Sequence, residues 1–213
     1  MKILAIGAHL DDIELACGGT LARAIKKGHV VKMLVMSDSS YNNFDGKILR
    51  TKEEAYSEGK LAAKKIGVND LEILNFPTKD VPYDSSSVEA IDEVISNFKP
   101  DFIITHWIYD THQAHKNTGL ATITAARYQN NILMYEPFPP SGRSYAPFRP
   151  QVYIDISDTI NDKVLSMKEH RSQYKKYGEN WVEAIQGRAR MRGFESDCKY
   201  AEVFELVRLN LDL

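Results

Sequence analysis

The sequence is poor in cysteine. Cys17 and Cys198 are the only two in 213 residues, too few for a disulfide framework, so a reducing cytoplasm is the expected setting. It has no run of 18 apolar residues, which excludes a membrane-spanning helix. Met1-Lys2 leads straight into a strand-like run, which argues against a signal peptide. It also lacks a dominant charge. A formal net charge of −2 gives no electrostatic case for nucleic acid or an anionic membrane as partner. No internal repeat, low-complexity tract or domain linker interrupts the chain, and its length suits one domain over residues 1–213.

What is there alternates. Short, β-branched, nearly continuous apolar runs at residues 2–8, 30–37, 71–76, 101–107, 132–136 and 151–157 read as strands buried on both faces. Helical patterns lie between them at residues 19–27, 51–66 and 86–98, with Thr51 a cap candidate and Gly28 and Gly67 as stop signals. Alternating β and α elements imply right-handed βαβ units. The expected fold is therefore α/β: a Rossmann-like, doubly wound, mostly parallel sheet with helices on both faces. Long loops are expected at 38–49, 77–85 and 137–150, the last too proline-rich for regular structure.

In such sheets ligands bind beyond the carboxyl ends of the strands, where strand order reverses. With the common order 3-2-1-4-5, the first and fourth strands flank that point. The first ends in Gly7-Ala8-His9-Leu10-Asp11-Asp12. The fourth ends in Thr105-His106-Trp107 and is followed by Asp110, His112, Gln113 and His115, so four of the six histidines would meet at one crevice. A dinucleotide is excluded there: the second glycine of the fingerprint is missing, and Asp11 and Asp12 would repel a pyrophosphate. Carboxylates clustered with neutral imidazoles suit a divalent metal with an open position. Adjacent Asp11 and Asp12 point different ways, so one reaches the metal and the other serves the water, whose lowered pKa makes it a nucleophile. His112 and His115 can divide their labour likewise.

The stretch AHLDDIELACGGT (8–20) resembles the AHPDDxE-type signature of the LmbE-like (PIG-L) family of N-acetylglucosamine deacetylases. DTHQAH (110–115) is similar to that family's second motif, DxHxDH. The likeness continues through Arg50, YEPF (135–138), VYIDIS (152–157), the KEHRSQ run ending at Gln173, and RGFESDCKYAEVFELVR (192–208). The resemblance implies that His9, Asp12 and His115 bind zinc, or another divalent metal such as Fe²⁺. It implies Asp11 as general base and His112 as the group that stabilises the oxyanion or protonates the leaving amine. Arg50 would contact sugar hydroxyls. The implied reaction removes an N-acetyl group from an amino sugar, possibly nucleotide- or lipid-linked in form, with release of acetate; a homo-oligomer is compatible with this reading. Hydrolysis of another amide at the same site, and a sugar- or nucleotide-binding module without turnover, stay open as alternatives.

Two positions depart from the pattern. Leu10 stands in place of proline, which changes the stiffness of the turn. Ala114 stands in place of an aspartate, which should lower the pKa of His112 unless Asp110 or Asp155 takes over. Glu14 has two readings, orienting a ligand or complementing the helix dipole. His106 reads as a strand-end packing residue and His170 has no assigned role. The basic stretches KEHRSQYKKYGENW and GRARMRG read as solvated helix faces, with an anionic substrate group as the alternative. Tyr41, Phe44, Trp107, Tyr109 and Tyr145 are candidate stacking surfaces for a sugar ring.

Overall fold

Why the first helix breaks in its middle, and what repairs it, explains much of the architecture. A computed structural model describes residues 1–210. Helix α1 (Asp12–Lys26) begins at the end of strand β1 (Lys2–Gly7), not at Gly19 as the pattern suggests, and Cys17 inside it leaves helical geometry (φ −137°, ψ 18°). The break frees backbone donors. The Glu202 carboxylate accepts the N–H groups of Gly19 (3.0 Å) and Thr20 (2.6 Å), and Lys163 neutralises the same carboxylate. The expected helix at 19–27 is thus the second half of α1, capped by a residue far along the chain. Gly19 is required here, because a Cβ would sit 2.8 Å from Ile156.

The remaining elements are β2 (Val30–Ser37), a short hairpin of β3 (Tyr41–Asn42) and β4 (Ile48–Arg50), α2 (Lys52–Lys65), β5 (Asp70–Phe76), α3 (Ser85–Phe98) and β6 (Phe102–Thr105). They are followed by α4 (Gln113–Ala125), β7 (Ile132–Tyr135), β8 (Val152–Asp155), α5 (Ile160–Glu169), α6 (Arg171–Tyr177), α7 (Glu179–Glu195) and β9 (Ala201–Arg208). Thr51 caps α2 in a reciprocal capping box with Glu54. The hairpin occupies part of the stretch expected to be loop.

Seven strands form one sheet in the order β5-β2-β1-β6-β7-β9-β8. The first five are parallel and follow the expected 3-2-1-4-5 order. The sixth run, now β8, is not beside the fifth. Antiparallel β9 lies between them. Its hydrophobic run is interrupted by Glu202 and Glu205, both buried and both paired: Glu205 accepts from Trp107 Nε1 (3.1 Å) and from the Arg149 guanidinium. Internal carboxylates with dedicated partners disguise a core strand as a polar segment.

Apolar side chains pack on both faces of the sheet. One cluster joins the sheet to α1 and α2 through Leu21, Ala24, Ala55 and Ala63; the other joins it to α3 and α4 through Ile91, Val94, Ala121 and Ala125. Among the described residues no helix is long and apolar enough to cross a membrane. Both cysteines are free thiols, Cys17 fully buried beside the α1 break.

Helix α4 carries site residues, and its seat is fixed by a close approach: a Cβ on Gly119 would lie 2.7 Å from the carbonyl oxygen of His106. That atom belongs to backbone and cannot swing aside. Gly119→Ala should therefore destabilise by about 1–3 kcal/mol despite alanine's better helix propensity. Equilibrium unfolding in denaturant measures it, and an unshifted midpoint would contradict the close approach.

Candidate active site

The carboxyl ends of β1 and β6 lie side by side, and the segments leaving them bring two imidazole nitrogens together with both oxygens of one carboxylate. His9 Nδ1 is 3.1 Å from His115 Nε2 and 3.3 Å from Asp12 Oδ2, and His115 Nε2 is 3.3 Å from Asp12 Oδ1. The outer hydrogen bonds of the two imidazoles fix what faces inward. His9 Nε2 donates to the carbonyl of Thr78 (3.0 Å), and His115 Nδ1 donates to Asp110 Oδ2 (3.0 Å). Each ring then turns a bare lone pair toward the other and toward a carboxylate. Three such pairs repel one another unless a proton or a cation stands among them. Tetrahedral bonds of about 2.0–2.1 Å set donor atoms roughly 3.3–3.4 Å apart, so the separations here suit a small divalent ion as well as the donor types do.

The electrostatics follow from that crowding. Burial opposes a charged His115, but Asp12 and Asp110 outweigh it and push its pKa up to about 10. Burial likewise opposes ionised Asp12, yet His115 and His106 hold it well below the usual carboxylate range. Burial and the charge of His115 push His112 down to about 4. The directions of these shifts place the positive charge of the cluster on His115, between the Asp12 and Asp110 carboxylates.

Asp11 stands beside the cluster. Burial and its neighbour Asp12 push its carboxyl up to about 6, and among the described residues its side chain has no hydrogen-bond partner. Its backbone sits at φ 134°, ψ −25°, a region that L side chains rarely adopt and that costs on the order of 1–3 kcal/mol. A strained, unpartnered carboxylate at a pocket wall is a group held ready for something other than stability. His112 is the residue before α4, and its ring stacks on that of His115 at 4.4 Å.

The pocket over these residues has a volume of 390 Å³ and is lined by His9, Asp11, Asp12, His112 and His115. Tyr41, Phe138, Tyr177 and Trp181 supply its aromatic wall, with Ser39, Thr78, Lys79, Arg50, Gln173 and Lys176 among the polar lining. Of the five aromatic residues singled out in the sequence, only Tyr41 lines it. Trp107 is a core residue, and the wall comes instead from α6, α7 and the 137–141 loop, which follows the carboxyl end of β7. The basic stretch of α7 keeps Arg190 on an exposed face but turns two arginines inward. Arg188 donates to the carbonyl of Pro137 and lies 4.7 Å from the Phe138 ring, while Arg192 pairs with Glu136, so both pin the pocket loop.

The other sequence candidates also find places. Buried His106 has its Nε2 at 2.9 Å from the Ala8 N–H and 3.0 Å from Asp12 Oδ2, and its ring stacks on His115 at 4.2 Å, so it backs the cluster as well as packing the strand end. Arg50 reaches the pocket wall but is only 2% exposed, with Nη1 on the carbonyl of Leu10 and Nη2 on Glu58. Asp110 does not support the His112 ring. One of its oxygens holds His115 and the other accepts the His112 backbone N–H (2.8 Å). Asp155 bonds Ser157 on the far edge strand, and Ala114 is sealed in the core between sheet and α4. Glu14, 1% exposed, pairs with fully buried His170 at 3.2 Å, so neither offered reading of Glu14 is the main one.

A doubly wound sheet with a cation-ready cluster and a strained carboxylate beyond its strand ends defines an α/β enzyme. The chain belongs to the PIG-L family: the family model described as GlcNAc-PI de-N-acetylase matches residues 4–126. It is 33% identical over 177 residues to an uncharacterized deacetylase, YaiS, of Escherichia coli K12, covering 80% of this chain and 90% of that protein. It is 27% identical to the diacetylchitobiose deacetylase of Thermococcus kodakarensis, covering 97% of this chain and 83% of that one. Among solved structures, the conserved protein TT1542 of Thermus thermophilus superposes with a TM-score of 0.83 at 23% identity, over 99% of this chain and 96% of that one. The 4-carboxy-2-hydroxymuconate hydratase GalB of Pseudomonas putida shares the fold too, at a TM-score of 0.81 and 18% identity, over 100% and 99% of the two chains. The fold alone therefore does not choose the reaction.

The buried Glu14–His170 pair makes a prediction about pH. Burial opposes a charged His170, but Glu14 outweighs it and raises its pKa. A raised folded-state pKa contributes stability that is complete below the unfolded value of about 6.5 and fades as pH rises through the folded value. The stability difference between wild type and His170→Gln should be largest at about pH 6 and narrow towards alkaline pH. Urea unfolding at several pH values checks this, and a constant difference would rule out the charged pair.

Proposed function

We propose that this protein is a divalent-metal-dependent deacetylase that hydrolyses the N-acetyl amide of an amino sugar or amino-sugar conjugate to acetate and a free amine. The observation that carries the reading is the convergence of three lone pairs at His9, Asp12 and His115 with the unpartnered Asp11 carboxylate beside them. Family membership and two deacetylase relatives support it.

In this reading His9 Nδ1, Asp12 and His115 Nε2 would hold the ion, and the bonds to Thr78 and Asp110 keep those nitrogens deprotonated toward it. When bound, a divalent ion such as Zn²⁺ or Fe²⁺ supplies Lewis acidity and lowers the pKa of water toward about 7. Asp11, held at about 6, is matched to take the proton of the attacking water at neutral pH. It then carries that proton until the amine leaves. His112, which lines the same pocket, offers a ring N–H to the carbonyl oxygen as charge develops there. Tyr41, Tyr177 and Trp181 give flat apolar faces against which a pyranose ring can lie, and they exclude water from the reacting amide. The substrate is a small amino-sugar compound.

Two variants separate the roles. Asp11→Asn should retain one equivalent of metal and lose about 10²–10⁴-fold in turnover of N-acetylated amino sugars. His115→Ala should lose the metal itself. Elemental analysis of never-chelated protein, and acetate release after reconstitution with zinc or iron, provide the readout. Full turnover in Asp11→Asn would dismiss the assigned base, and purified wild type with neither metal affinity nor acetate release would dismiss the whole reading.

A further inference from the structure

Leu10 immediately precedes the strained Asp11, and its peptide is gripped from both sides. Its N–H donates to Ser39 Oγ (2.9 Å). Ser39 is itself only 2% exposed and held at φ 57°, and the neighbouring Ser37 Oγ ties to the carbonyl of Ala8 (2.7 Å). The carbonyl of Leu10 accepts from Arg50 Nη1 (3.2 Å), while Arg50 Nη2 is fixed by Glu58 (3.0 Å). Glu58 in turn accepts the Ser172 N–H (2.8 Å) and Oγ–H (2.7 Å). The Leu10 side chain fills a notch in α2 so tightly that a Cβ on Gly59 would lie 2.4 Å from it.

Every component of this arrangement suits leucine at position 10. A proline there would stiffen the turn through its ring but would have no N–H for Ser39. With leucine the backbone is freer, and two hydrogen bonds and a packed side chain supply the constraint instead. The arginine is equally committed. Each terminal nitrogen already donates to a protein acceptor and Nε is buried without a partner, so the guanidinium is held in place by the protein itself. A fixed, bidentate use of this kind is one that lysine cannot reproduce.

We infer that Ser39, Arg50 and Glu58 form a clamp on the Leu10 peptide that holds Asp11 in its strained conformation toward the pocket. Arg50 is thereby a positioning residue for the base. The inference rests on the deacetylase reading only in taking Asp11 as the base.

The test combines kinetics with a readout that needs no substrate. Metal-loaded wild type, Ser39→Ala, Glu58→Gln and Arg50→Lys are compared for kcat and KM on N-acetylglucosamine, for metal content, and for amide hydrogen exchange in a peptide spanning residues 8–16. The clamp requires kcat to fall about tenfold or more with KM within about twofold, metal content unchanged, and exchange accelerated about tenfold in that peptide. Ser39→Ala removes a single oxygen atom, so its fold is the least disturbed. Raised KM with kcat preserved in Glu58→Gln and Arg50→Lys would make Arg50 a sugar contact and overturn the inference. Loss of metal in Ser39→Ala would do so too, since the grip would then serve Asp12. If wild type releases no acetate, the deacetylase reading falls, and exchange alone judges the clamp: faster exchange supports it, unchanged exchange refutes it.

Discussion

Three lone pairs aimed at one point cannot be left uncompensated, and the surroundings of the site are arranged around that demand. Thr78 and Asp110 each take the outer proton of an imidazole. Those outer bonds leave the inner nitrogens as the ones that face the centre of the cluster. Asp12 commits one oxygen to the His9 backbone N–H (2.7 Å), which anchors the turn that carries it. The unfavourable arrangement survives because each ligand is fixed by a bond pointing away from the centre, so the protein provides most of the ordering before any ion arrives.

How much of this could be read from residues alone differs from one element to the next. The five parallel strands were legible because continuous β-branched runs alternate with helices, and their order is the common one assumed for such a sheet. His9, Asp11, Asp12, His112 and His115 were legible as a group because two strand ends at a reversal point must be neighbours. Strand β9 was hidden by Glu202 and Glu205, whose burial depends on partners as distant as Lys163, Trp107 and Arg149. The aromatic wall was hidden for a related reason. Phe138, Tyr177 and Trp181 reach the pocket through a loop and two helices whose placement no local pattern states. Arg50 shows the converse: its presence was legible, but its engagement by Glu58 and Leu10 depends on a helix face that only the folded chain assembles.

Rigidity is distributed unevenly around the pocket. On one side the 137–141 loop is pinned by Arg188 and Arg192 from α7 and by Thr111, which donates its backbone N–H to the carbonyl of Ser141 (3.0 Å). On the other side the hairpin of β3 and β4 exposes Phe44, Ile48 and Leu49 to solvent, with only its last residue, Arg50, tied deeply into the molecule. The turn that carries Asp11 and Asp12 sits between a fixed wall and a lightly anchored one, so variation in what the pocket admits is most easily accommodated on the hairpin side.

The break in α1 has a consequence for how the molecule comes into being. Gly19 and Thr20 leave the ribosome 183 and 182 residues ahead of Glu202, the carboxylate that satisfies their amides. During synthesis those two donors face water, and the carboxylate that replaces it comes only with β9. A nascent chain arrested before β9 would therefore lack the cap on the second half of its first helix.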